Sequence, residues 1–113
     1  MSGKDYVIEA ADLGEKVSLE CKSSGKLEGD SLLKKMAAAC ESLEKIKNKP
    51  SLRTRDGEDK AYPILESAQK LEEDWEDAQD GDDMQDVTES MEVFVAAADA
   101  LINALKGKTV VMT

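Results

Sequence analysis

The residues best equipped for chemistry in this chain are carboxylates, and nine of them crowd into the stretch LEEDWEDAQDGDDMQD, Leu71 to Asp86, beside one tryptophan and no base. Clustered carboxylates can hold a cation, divide acid and base roles, imitate a phosphate backbone, or keep a helix in water. The calcium reading fails on ligand positions. An EF-hand loop with Gly81 at its sixth place starts at Glu76 and puts Ala78 at the third and Val87 at the twelfth, where oxygen ligands are required. Acid–base work needs two carboxyls in a cleft with differing environments, which a small helical chain hardly offers.

Other chemistries are poorly supplied. The absence of histidine removes the commonest general base and the commonest transition-metal ligand together. Cys21 and Cys40 are nineteen positions apart and make no zinc motif; CxxC, GxGxxG, P-loop and GxSxG patterns are missing too. The expectation is a protein that is not an enzyme and that has no metal site and no cofactor.

Charge narrows the partners. With 25 acids against 15 bases the chain carries −10, which opposes direct nucleic-acid binding and adsorption to an anionic membrane. Residues 71–105 contain 12 of the acids and no base, whereas Lys45, Lys47, Lys49, Arg53, Arg55 and Lys60 fall close together. One expectation is that this basic stretch folds back beside the acidic one and partly neutralises it.

The start, MSGKDYVIEAADLGEK, has no signal-like apolar run, and no segment approaches the roughly 18 apolar residues of a membrane span, so the expected location is cytoplasmic. In that setting Cys21 and Cys40, each beside apolar or small residues, read as buried free thiols, a disulfide being the alternative.

Length and composition predict one domain over residues 1–113, mainly α, as a small helical bundle. Leu32, Met36, Ala39, Leu43 and Ile46 define a helix over about 31–48, started by Asp30 or Ser31 and stopped by Asn48 and Pro50. Ile64, Ala68, Leu71, Trp75 and Ala78 define a second over about 60–80, starting near Asp59 or Pro63. Met84, Val87, Met91, Phe94, Ala98, Leu101 and Leu105 define a third over about 83–106, with Asp82 and Gln85 spaced as a capping box and Gly107 as its stop. The short turn between the last two predicts an antiparallel hairpin.

Residues 49–58 read as a flexible loop. The N-terminal segment is two-valued. Val17, Leu19 and Cys21 alternate as in a strand, but Leu13, Val17 and Cys21 share a helical face and Asp12 with Glu15 has capping-box spacing. Helices are favoured; the alternative is α+β, with a small ribbon from residues 5–22 and 109–113.

Two surfaces emerge from these registers. Glu72, Glu73, Glu76, Asp77 and Asp80 crowd the C-terminal end of the second helix, where the backbone dipole opposes negative charge, while Asp82, Asp83 and Asp86 sit at a helix start that favours it. Trp75 faces the core. The first functional expectation is therefore a non-enzymatic interaction module that docks on a basic protein surface through its acidic hairpin, as an inhibitor or nucleic-acid mimic would. The second surface is the run VFVAAADALINAL, apolar on nearly every side. Unless the N-terminal segment covers Val93, Ala96, Ala97 and Ala100, they form a face for a homodimer or a client helix, and the alternative function is a structural, assembly or chaperone-like protein.

Overall fold

A computed structural model describes the backbone of residues 3–81 and 84–110, and side chains as far as Leu105. The chain is a helical bundle of α1 (Gly3–Ser24), α2 (Ser31–Ile46), α3 (Arg55–Gln79) and α4 (Met84–Val110), with a single 3-10 turn, Pro50–Arg53, between α2 and α3. The proposed ribbon is not formed: residues 5–22 lie within α1 and residues 109 and 110 within α4, while 111–113 lie outside the described residues.

Helical spacing prevails over alternation in α1 because it buries more. Val7, Ala10, Val17 and Cys21 are fully buried on one face with Leu13 partly so, whereas Leu19, which a strand would have buried with Val17 and Cys21, is 59% exposed. Asp12 and Glu15 lie inside this helix, so their capping-box spacing starts nothing. Gly25, at φ +76°, ends α1 by donating its N–H to Cys21 O at 3.1 Å, a left-handed conformation that glycine adopts without cost. In α2 the cap is Asp30, whose Oδ1 accepts from Leu32 N at 2.6 Å.

Each helix packs mainly on two others. α1 lies against α2 and α3, and α4 lies against the same two, so the order around the bundle is α1, α2, α4, α3. Alternating direction along the chain then makes α1 and α3 parallel neighbours, and the link from α2 to α3 must cross the diagonal at one end. This crossing is why residues 49–58 are not a flexible loop. Leu52 is fully buried beneath it, against Gly57 at the start of α3, where an added methyl group would stand 2.7 Å from Leu52 Cα. Thr54 caps α3, its Oγ1 accepting from Gly57 N at 3.1 Å and donating to Ser51 O at 2.8 Å.

Capping at Thr54 starts α3 earlier than Asp59. Pro63 therefore lies well inside the helix, where its missing N–H leaves the Asp59 carbonyl without its helical donor. Ile64, Leu71 and Trp75 are buried as their spacing predicts, with Lys26 Nζ 5.8 Å from the centre of the indole. In α4, Val87, Met91, Phe94, Ala98 and Leu101 are buried. Its expected stop at Gly107 is not used, since the helix continues to Val110. The capping role expected of Asp82, and that of Asp83, lie outside the described residues.

Near mid-bundle the backbone of α1 meets side chains that reach in from α2 and α4. A methyl group on Gly14 would lie 2.7 Å from Cys40 Sγ and 2.9 Å from Phe94 Cζ, so bare backbone is required there. Cys21 and Cys40 are free and buried, so the alternative disulfide is not formed. Burial pushes the Cys21 thiol up to about 11, with the charge of Glu20 adding to it. Burial likewise pushes Cys40 up to about 12, helped by Glu15.

Candidate interaction surfaces

The basic and acidic stretches do not meet. α3 begins at Arg55 and ends at Gln79, and a helix of that length separates its ends by roughly 36 Å, so Arg55 and Lys60 lie at one end of the bundle and Glu76, Asp77 and Asp80 at the other. Neutralisation by folding back, expected from the sequence, is prevented by the unbroken run of α3 itself. The bundle measures 48 × 26 × 18 Å, and the acids that end α3 lie at the far end of that helix from Arg55 and Lys60.

At the acidic end the cluster separates into two groups. Glu72 is half-buried and its Oε2 lies 3.6 Å from Lys16 Nζ on α1. Asp74, its side chain 14% exposed, accepts from the Ser90 hydroxyl on α4 and lies 3.5 Å from Lys70 Nζ one helical turn earlier. These two carboxylates join helices to one another. Glu73, Glu76, Asp77 and Asp80 are exposed, and among the described residues none of them has an ion-pair partner.

Asp80 is the C-cap of α3, and its N–H reaches Asp77 O at 3.0 Å, after which Gly81 turns the chain with φ +109°. The last carbonyls of α3 therefore lie among carboxylates, with no base in the final turn. That arrangement is unfavourable, because the C-terminal end of a helix dipole attracts cations. Trp75, 1% exposed, is packed in the core and contributes no aromatic anchor to this surface. Among the described residues, no group of three or more cysteine or acidic side chains is disposed to hold a metal ion.

The apolar face of α4 is also open. α1 sits diagonally opposite α4, so the N-terminal helix does not cover it. Val93 is 58% exposed, Ala96 and Ala100 are exposed, and Ala97 is half-buried. Val93, Ala97 and Ala100 border a groove between α3 and α4 made of shallow cavities of about 260, 300 and 340 Å³, which Ala96 does not line. Pro63 stands across this groove from Ala97. Lys60 lies beside Ala100 and Ala104 at one end, and Asp86 and Glu89 lie beside Val93 at the other. No described helix is long and apolar enough to cross a membrane.

Comparison with protein-family models, with curated proteins and with solved structures finds no match for this chain. The geometry of these two surfaces therefore carries the functional argument.

Proposed function

We propose that this chain is a non-enzymatic interaction protein that docks on a basic protein surface through the acidic end of its bundle, with Glu73, Glu76, Asp77 and Asp80 as the contacting carboxylates. Glu72, grouped with them by sequence, contributes charge from behind while its pair with Lys16 ties α3 to α1.

The observation that carries this reading is the location of the four exposed acids, which have no ion-pair partner among the described residues and occupy a helix end whose dipole opposes them. Residues chosen for stability alone would be Lys or Arg there. Charge of one sign concentrated at the tip of an elongated molecule speeds encounter with an oppositely charged partner and rejects anionic ones. A surface of this kind competes with a nucleic acid for the same basic site, which is how an inhibitor that imitates phosphates would act.

Affinity capture from the native host on the immobilised chain tests the reading. Partners bearing basic patches are expected to be retained at low salt and released in a rising salt gradient, and a Glu73→Lys/Asp77→Lys/Asp80→Lys variant is expected to retain none of them. Partners held equally by both proteins, or held regardless of salt, would refute it.

A further inference from the structure

A cavity of about 300 Å³ opens between α1 and α2. On α1 it is bordered by Glu15, Ser18, Leu19 and Lys22, a stripe of three-four spacing whose two ends lie roughly 10 Å apart along the helix axis. On α2, Ala37 and Cys40 continue the apolar wall that Leu19 begins, and Glu41 and Glu44 stand beside them. Cys40 is level with Gly14, so Glu41 and Glu44 fall at the Glu15 end of the cavity and Lys22 at the other.

Ser18 distinguishes this cavity. Among the described residues three serines are buried, and two of them have partners: Ser67 donates to Ile64 O at 2.8 Å, and Ser90 donates to Asp74. Ser18 is 4% exposed, yet among the described residues its hydroxyl meets no hydrogen-bond partner, not even a carbonyl of its own helix such as Ser24 and Thr88 use. A buried hydroxyl without a partner is costly, and one that borders a cavity recovers the bond from a molecule placed there. We infer that the cavity binds a small organic amine, its ammonium between the Glu15 carboxylate and the Ser18 hydroxyl and its apolar chain along Leu19 and Ala37.

Charge sets both the class of ligand and its direction. Glu41 and Glu44 are already paired, with Lys45 at 3.7 Å and Lys47 at 2.8 Å, whereas Glu15 has no ion-pair partner among the described residues. The charge of Glu15 is felt inside the cavity, where it adds to the burial that pushes the Cys40 thiol up to about 12. Lys22, two helical turns from Glu15, is too distant to repel an ammonium held there and keeps the ammonium from lying the other way round. None of Glu73, Glu76, Asp77 and Asp80 borders this cavity, so the amine site and the proposed docking surface can fail independently.

Amide chemical-shift mapping on the full chain, with pentylamine, pentanol and pentanoate as probes at neutral pH, tests the inference. Pentylamine is expected to shift the resonances of Ser18, Leu19, Ala37 and Cys40 saturably, and pentanol and pentanoate to bind at least about tenfold more weakly. Glu15→Gln, at an exposed position, is expected to weaken pentylamine binding by more than about tenfold, and Ser18→Ala by about fivefold. Ala37→Leu fills the cavity from a half-buried position and is expected to abolish binding, with an unchanged helical circular-dichroism spectrum. Shifts that fail to saturate, that centre on Glu73, Glu76, Asp77 and Asp80, or that persist in Glu15→Gln and Ala37→Leu overturn the inference, as does equal binding of the three probes.

Discussion

The hydroxyl of Ser90 on α4 donates to the carboxylate of Asp74 on α3, and this bond withdraws one acid from the surface that surrounds it. Asp74 looks in the sequence like any other member of LEEDWEDAQDGDD, but α4 gives it a structural partner and Lys70 a second. Ser90 is 5% exposed, so its hydroxyl needs an acceptor, and a bond to a charged acceptor is worth more than an ordinary one. Ser90→Ala is expected to cost about 1–2 kcal/mol of stability, read by urea unfolding, and to leave partner binding unchanged.

The exposed acids should show the opposite pattern. Replacing Glu76, Asp77 and Asp80 by Lys places cations where the dipole of α3 favours them, so thermal unfolding is expected to shift upward at low salt, by a few tenths of a kcal/mol for each change. Partner binding should be lost in the same protein. Stability gained as binding is lost is what a functional surface predicts, and a fall in stability would show that these acids support the fold.

The diagonal crossing depends on Leu52. Its side chain is fully buried at the basic end, so Leu52→Ala is expected to destabilise the bundle by about 2–5 kcal/mol in chemical unfolding. Gly14→Ala tests packing at mid-bundle from the other direction. A methyl group directed at Cys40 Sγ and Phe94 Cζ overfills the space, with an expected loss of about 1–3 kcal/mol.

The two thiols link stability to alkaline pH. Their folded pKa values, about 11 for Cys21 and about 12 for Cys40, lie above the ordinary value of 9.0. Between these limits the unfolded chain releases protons that the folded chain retains. Their contribution is complete below pH 9 and is lost as pH rises through the folded values. Unfolding free energy measured from pH 8 to 11 is expected to fall more steeply in the parent protein than in a Cys21→Ala/Cys40→Ala variant. Thiol-directed reagents at pH 8 are expected to modify Cys21 and Cys40 only after unfolding.

Much of this bundle is legible in the sequence because its helices are amphipathic. The three-four spacing from Leu32 to Ile46, Ile64 to Ala78 and Met84 to Leu105 identifies α2, α3 and α4 and most of their buried residues, and the spacing of Leu13, Val17 and Cys21 favours α1. The start of α3 is not legible from apolar spacing, since the turn that precedes Ala61 is held by the Thr54 cap and by backbone packing on Gly57. A threonine before RDG is the local signal that could have found it.

The site is legible in composition and not in partnership. Charge and helical register single out Glu72, Glu73, Glu76, Asp77 and Asp80, but the partners that divide this end of the bundle, Lys16 for Glu72 and Ser90 for Asp74, come from helices distant in sequence. The separation of acidic and basic ends is likewise a tertiary fact, set by the length of α3 and by the diagonal path of residues 47–54. The openness of the α4 face follows from the order of helices around the bundle, which no local pattern encodes.

Docking through the acidic end of the bundle is decided by the equilibrium affinity of a captured partner for the parent chain and for the Glu73→Lys/Asp77→Lys/Asp80→Lys variant across a series of salt concentrations. The expected result is a parent affinity that falls steeply with salt, and a variant affinity lower at low salt by more than about a hundredfold. Equal affinities, with equal dependence on salt, would contradict it.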